Sequence, residues 1–468
     1  MNENTTQNEL RLTLEFDRGT IVISNITACM AASIQDLMKW DKRINAWRAP
    51  AHVYASLKAR IRSLPGNPMD QVRQIQFPEN SWTPVDLRTY QEAALLAWRA
   101  AGGRGLICLP TGSGKTRIAL AAAQRSKKSV LCLVPTRVLL HQWLDAIREF
   151  YSGELGVLGD GQHLIRPITV ATFESAYRNG WSFGNRFDLL IVDEAHHFGD
   201  GMRDEALEAC SAPFRLGLSA TLDDSRLQRL EELIGRKVFE QRVNDLAGSV
   251  LAEFEVSCLH LPLTQKENLV YQSDYQAFRQ FFDNFRAAKP QGLWQEFVRI
   301  ARKSASGRAA LAAHKRAKRT LALTDRKLFM LCKLLNQYAD QRKLIFTADS
   351  ATALSIARKL LIAPITAEIG KRERDALLTS FRVGTIKTLV SCKVLNEGFD
   401  VPEAEVAIIV GGSGSGREHV QRIGRVLQPA KGKRAKVYEL LAANTLEVQQ
   451  SRRRGQILKE RRREHGSR

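Results

Sequence analysis

Leu10, Leu12, Leu14 and Phe16 alternate with polar residues, and Ile21 and Ile23 continue the alternation beyond Asp17-Arg18-Gly19. A period of two places every second side chain on one face of a strand, so residues 10–24 are expected to form a hairpin with glycine at its turn. Helical spacing follows over residues 33–64, and a strand-like run at 72–77 follows the Pro65-Gly66-Asn67-Pro68 break. Residues 1–80 therefore read as a small α+β accessory domain.

From about Pro84 the pattern changes to short apolar runs, at 105–109, 130–134, 168–171, 189–192 and 216–218, separated by longer helical stretches. Strands that are apolar throughout are buried on both faces, and their alternation with helices implies a doubly wound parallel α/β sheet over residues 81–250. A second series at 343–346, 388–391 and 406–410 implies another α/β lobe over 251–450. Between the two series, 271–327 reads as a helical, basic insertion, and 451–468 is a basic tail rich in arginine.

Charge narrows the class of partner. The chain carries 70 Lys+Arg against 49 Asp+Glu, a net charge of +21, which favours a polyanion such as nucleic acid or an anionic membrane surface. No apolar stretch approaches the roughly 18 residues of a membrane span, and the opening MNENTTQNEL lacks the regions of a signal peptide, so a cytoplasmic protein is expected. The seven cysteines stand singly, without a CxxC pair, and read as reduced core residues.

Thr111-Gly112-Ser113-Gly114-Lys115-Thr116 follows a predicted strand and opens a helix, the setting of a phosphate-binding (Walker A) loop. Backbone N–H groups of such a turn can hold phosphates, Lys115 can reach the β and γ groups, and Thr116 can bind Mg²⁺. Leu109 stands where the full motif has its first glycine. Downstream, Asp193-Glu194-Ala195-His196 ends another apolar strand, at the edge where open α/β sheets bind ligands. Asp193 is expected to hold Mg²⁺, and Glu194 to orient or deprotonate the attacking water. His196 and His197 have no spaced partner ligand and read as solvent or coupling residues.

These elements, with Ser219-Ala220-Thr221 after a further strand, resemble superfamily 2 helicases and translocases of the DEAH type. The resemblance extends to Leu87-Arg88-Thr89-Tyr90-Gln91 as the adenine-reading element, through Arg88 and Gln91, and to Thr136, Arg137 and Thr172 as strand contacts. It also covers Asn396-Glu397-Gly398-Phe399-Asp400 and Gln421-Arg422-Ile423-Gly424-Arg425 in the second lobe. Arg215-Leu216-Gly217-Leu218, Lys237-Val238-Phe239-Glu240 and Gly412-Ser413-Gly414-Ser415-Gly416 are most similar to XPB-type DNA-repair helicases, whose damage-recognition domain the N-terminal hairpin also resembles.

The resemblance implies two RecA-like lobes binding ATP and Mg²⁺ between them. Gly398, Asp400, Gln421, Arg422 and Arg425 would come from the second lobe, with Arg425 as arginine finger. It also implies 3′-to-5′ travel on single-stranded or forked DNA, and a thumb-like insertion gripping that DNA. Residues 286–327 carry twelve cations, Lys327 among them, against Glu296 and Asp325.

Two departures mark this chain. The family's Arg-Glu-Asp loop is not reproduced near Asp224, Ser225 and Arg226, and Gln428 replaces a second arginine expected near the γ-phosphate. The rival readings are a duplex translocase serving a nuclease or phage-defence partner, and an RNA helicase. Tyr271, Tyr275, Phe278, Phe282 and Phe285 recur at helical spacing and read as a packing face, with base stacking as the alternative.

Overall fold

The computed structural model describes residues 12–63, 68–78, 81–246, 253–366, 368–392, 404–411 and 434–459. They fall into two compact units, one ending at Arg242 and the other beginning at Val243.

The first unit opens with strands β1 (Thr13–Asp17), β2 (Thr20–Ser24), β3 (Lys39–Asp41), β4 (Ala46–Pro50) and β5 (Met69–Gln71), in the sheet order β3-β4-β2-β1-β5. The hairpin forms as read, with Arg18 and Gly19 at positive φ in its turn. The helical reading of 33–64 needs correction. Helices Ala28–Ile34 and Tyr54–Arg62 flank a hairpin of β3 and β4, three and five residues long, too short for alternation to stand out. A cross-strand pair holds that hairpin, Trp40 on Trp47 at 5.3 Å, with Asn45 at φ 51° in the turn. The run 72–77 is extended but is not a strand, the pairing strand being β5 before it. Its polar backbone is used elsewhere: Asn185 Nδ2 donates to Val72 O at 2.9 Å and Gln74 N donates to Asn185 O at 3.1 Å.

The second sheet of this unit comprises β6 (Arg104–Cys108), β7 (Val130–Val134), β8 (Leu155–Gly159), β9 (Gln162–Leu164), β10 (Ile168–Thr172), β11 (Leu189–Val192), β12 (Phe214–Ser219) and β13 (Lys237–Glu240). The order is β13-β6-β12-β11-β7-β10-β8-β9, parallel throughout except for β9. β7, β10 and β11 are buried at every residue, as expected of strands covered on both faces.

The second unit holds β14 (Glu253–Leu261), β15 (Lys343–Phe346), β16 (Ala363–Ile365), β17 (Thr388–Ser391), β18 (Val406–Ile409) and β19 (Arg434–Ala442), all parallel, in the order β14-β19-β18-β15-β17-β16. Its basic insertion consists of helices Gln265–Ala288, Trp294–Ala301 and Ala305–Ala322. The aromatic stripe is a packing face: Tyr271 stacks on Tyr275, while Phe278, Phe282 and Phe285 surround Phe297, which is fully buried.

Lys327 leaves the set of DNA-facing cations. It is fully buried, its Nζ donating to Leu321 O (2.6 Å), Val410 O (2.9 Å) and the Glu447 carboxylate (2.8 Å). The cysteines also divide: Cys108, Cys132, Cys210 and Cys392 are buried, whereas Cys29 and Cys258 are exposed and Cys332 is intermediate. Among the described residues no helix is long and apolar enough to cross a membrane.

Candidate nucleotide site

Parallel strands bring their C-terminal ends to one edge, and β6, β12 and β11 are neighbours there. β6 feeds the phosphate loop, β12 ends in Ser219, and β11 delivers Asp193 and Glu194. The loop turns on Gly112 and Gly114, at φ 83° and 76°. The positive φ of Gly114 calls for glycine, and a Cβ there would come within 2.6 Å of Gln91 Nε2 and displace the end of that side chain. Helix Lys115–Ser126 follows, with its N-terminal N–H groups opening onto the loop.

Lys115 is almost fully buried and folds back onto its own loop, donating to Leu109 O (3.1 Å) and Pro110 O (3.2 Å). Thr111 Oγ1 is buried without a hydrogen-bond partner. A turn with positive-φ glycines, a lysine held on weak carbonyl partners and an orphaned hydroxyl together fit a phosphate chain. Beside the loop lies a cleft of about 310 Å³ lined by Asp86, Leu87, Arg88, Gln91, Gly112, Ser113, Gly114 and Arg117.

Gln91 is placed at that cleft with both ends of its amide engaged. Oε1 accepts from Arg88 N (2.9 Å), and Nε2 donates to Ser113 O (2.9 Å) and Gly114 O (3.3 Å). Tyr90 Oη also donates to Ser113 O. The segment expected to read adenine is thus bonded to the phosphate loop, and a base contact by Gln91 would require one of these bonds to be exchanged.

Asp193 and Glu194 are both buried. Burial, and after it the adjacent Glu194 carboxylate, push the Asp193 carboxyl up from its ordinary range. Asp193 Oδ1 accepts from Glu194 N (3.0 Å) and Oδ2 from Trp143 Nε1 (2.9 Å). Sequence reasoning missed Trp143, because a tryptophan on the apolar face of helix Arg137–Arg148 reads as core. Glu194 takes a left-handed φ of 49°, and its Oε2 lies 3.3 Å from His196 Nδ1. The same Nδ1 is 3.1 Å from Ser219 Oγ, so His196 stands between the acid-bearing loop and the end of β12.

Thr136, two residues past β7, and Thr172, the last residue of β10, cap the following helices, accepting from Leu139 N and Ser175 N, while Arg137 is exposed within 3.5 Å of Asp160. Near the expected Arg-Glu-Asp loop, Asp223 caps helix Asp224–Leu233, and Arg226 reaches Asp200 (3.0 Å) and His196 O (3.1 Å). Gly398, Asp400, Gln421, Arg422, Arg425 and Gln428 lie outside the described residues.

Three family profiles match in succession: the XPB helicase damage recognition domain over residues 14–67, the res subunit of type III restriction enzymes over 84–224, and the ERCC3/RAD25/XPB C-terminal helicase over 307–462. The DNA 3'-5' translocase XPB2 of Sulfurisphaera tokodaii is 33% identical, over 89% of this chain and 95% of its own. This chain belongs to the XPB family. The Mycobacterium tuberculosis DNA 3'-5' helicase XPB is 29% identical, over 83% of this chain and 66% of its own length. XPB2 of Arabidopsis thaliana, named a helicase/translocase subunit of general transcription and DNA repair factor IIH, is 28% identical over 79% of this chain and 49% of its own. The XPB-family chain described here thus spans about half to two thirds of these longer relatives.

Among solved structures, the Pyrococcus furiosus Hef helicase domain superposes with a TM-score of 0.50 at 18% identity, covering 78% of this chain and 98% of that one. S. cerevisiae Dbp5 bound to RNA and ADP BeF3 gives 0.55 at 16% identity, covering 88% and 92%. At these identities the likeness concerns the fold, which is that of two RecA-like lobes.

Proposed function

We propose that this chain is an ATP-driven DNA motor that travels 3′ to 5′ and acts in DNA repair or DNA processing. One observation carries the reading: a phosphate loop, a pair of buried acids and Ser219 leave neighbouring strands at one edge, with His196 bridging the acids to Ser219. The direction and the DNA substrate rest on the relatives named 3'-5' helicases and translocases.

Lys115 exchanges its carbonyl partners for β and γ oxygens of ATP, and the loop N–H groups hold the remaining phosphate oxygens. Thr116 and Asp193 would hold Mg²⁺, which offsets charge gathering on those oxygens. Glu194 orients the attacking water and takes its proton, and His196 carries that change to Ser219. On the family resemblance, Gly398, Asp400, Gln421, Arg422 and Arg425 complete the site. Arg425 is the cationic finger and Gln428 a neutral neighbour.

The test is ATP turnover with and without DNA, and with RNA in its place. Strong stimulation by DNA is expected. Equal or greater stimulation by RNA, or none by either, defeats the reading.

A second reading, translocation on duplex without strand separation by the family loop, is favoured by Arg226. Its bonds to Asp200 and His196 O tie the first turn of helix Asp224–Leu233, where that loop is expected, to the first lobe. Displacement of a triplex strand without displacement on a fork would establish it.

A further inference from the structure

The insertion ends in a tip that packing leaves uncovered. After helix Gln265–Ala288 the chain turns through Pro290, Gln291 and Gly292, and the turn is tied by Arg286 Nη1 donating to Pro290 O and Gly292 O. Leu293 and Trp294 follow, 70% and 47% exposed. Lone apolar side chains are ordinary on a surface, but this adjacent pair stands on a strongly cationic segment. Residues 286–303 carry Arg286, Lys289, Arg299, Arg302 and Lys303 against Glu296 alone.

Trp294 is anchored while exposed. Its ring lies 5.1 Å from Phe297 and 5.3 Å from His314, with Phe278 and Phe282 just beyond at 6.3 and 6.2 Å. Half the indole is thereby fixed by the tip's aromatic core and half is open to solvent, so a stacking partner would pay little for ordering it. A line of exposed cations runs past the same place. Arg308, Lys315 and Arg319, spaced by seven and four residues, line the exposed face of helix Ala305–Ala322, opposite its buried Ala310, Ala313 and Ala317. That line is about 17 Å long. Arg308 Nη1 donates to Arg302 O at 3.2 Å, at the end of helix Trp294–Ala301 away from Trp294, while His314, against which Trp294 packs at 5.3 Å, directly precedes Lys315.

We propose that Trp294 is a stacking platform for an unpaired or terminal DNA base, presented beside the cationic face of the insertion. Indole offers any base a π surface, and the flanking cations hold the backbone either side of it. The proposal rests on the DNA-motor reading and adds an aromatic edge at which a strand can be parted.

The test uses the full chain and a forked duplex carrying a fluorescent adenine analogue at the first unpaired position, with parent, Trp294→Phe and Trp294→Leu proteins. Leucine keeps the apolar fill and removes the π surface; phenylalanine keeps both. The parent and Trp294→Phe are expected to quench the analogue. Trp294→Leu should lose the quench and bind the fork roughly 5- to 150-fold more weakly, with an unchanged slope of log affinity against log salt. Parent-like quenching and affinity in Trp294→Leu overturn the proposal. So does an equal loss in both variants with a shallower salt slope, which makes the ring a packing element. A parent that quenches the analogue while its ATP turnover ignores DNA defeats the motor reading and leaves the stacking platform standing.

Discussion

Trp143 and Asp193 are joined by an indole N–H to carboxylate bond of 2.9 Å, with both side chains buried. The bond fixes which oxygen of Asp193 turns toward Trp143 and leaves Oδ1 with Glu194 N at 3.0 Å. Trp143→Phe keeps the ring's bulk and deletes the donor. Loss of a partner that orients a metal ligand costs roughly 10- to 100-fold in metal affinity or activity. A fall of that size in ATP turnover at limiting Mg²⁺ is expected, with a higher Mg²⁺ requirement and unchanged DNA affinity. An unaltered Mg²⁺ dependence would show that the bond serves packing alone.

Lys115→Ala and Glu194→Gln should both abolish turnover and yet differ in binding. In the proposed site Lys115 would meet phosphate in the ground state and Glu194 would act on water, so Glu194→Gln is expected to bind ATP like the parent and Lys115→Ala to lose it. Equilibrium nucleotide binding checks the split, and parental hydrolysis by either variant places the chemistry elsewhere.

The line of Arg308, Lys315 and Arg319 is cleaner to test than the full charge run. Arg316 is already paired with Asp274 at 2.7 Å, and Lys327 is inside the protein. Each phosphate neutralised contributes roughly −0.9 to the slope of log affinity against log salt on duplex DNA. Changing the three to Gln should flatten that slope by about 3, weaken all base sequences alike and spare DNA-free ATPase. A parental slope would make the insertion a spacer.

His314 lies between Phe278 (4.2 Å) and Trp294 (5.3 Å) with a buried Nδ1 that has no hydrogen-bond partner. Burial, and then Lys318, lower its pKa to about 4. Unfolded histidine titrates near ~6.5, so between about pH 6.5 and 4 the unfolded segment binds the extra proton. The insertion's stability is therefore complete above that window and is lost as pH falls through it. Amide exchange in helices Trp294–Ala301 and Ala305–Ala322, corrected for its intrinsic pH dependence, should accelerate at about pH 5. His314→Gln should remove most of that acceleration, and an equal response in parent and variant would assign it elsewhere.

The strands were legible where a run was wholly apolar. β7, β11, β15 and β17 occupy the residues read from the sequence, because burial on both faces leaves no other pattern. The phosphate loop was legible because its conformation demands glycine at fixed positions. Trp143 and Lys327 were not legible. Their partners stand 50 and 120 residues away, so one reads as core and the other as one more cation in a basic run. Lys39–Asp41 was missed for the opposite reason: a three-residue strand is specified by its partner across the turn more than by any periodicity of its own.

The extended run after β5 docks on residues that precede strands. Asn185 brackets Val72 and Gln74, while Arg73 pairs with Asp188, which bonds Ser129 just before β7. These are the N-terminal ends of β7 and β11, whereas ATP chemistry is assigned to the C-terminal ends. The hairpin domain is thus mounted on the edge of the sheet opposite the phosphate loop and the acid pair. Whatever that domain binds is therefore held on the first lobe, across the sheet from the phosphate loop and the acid pair.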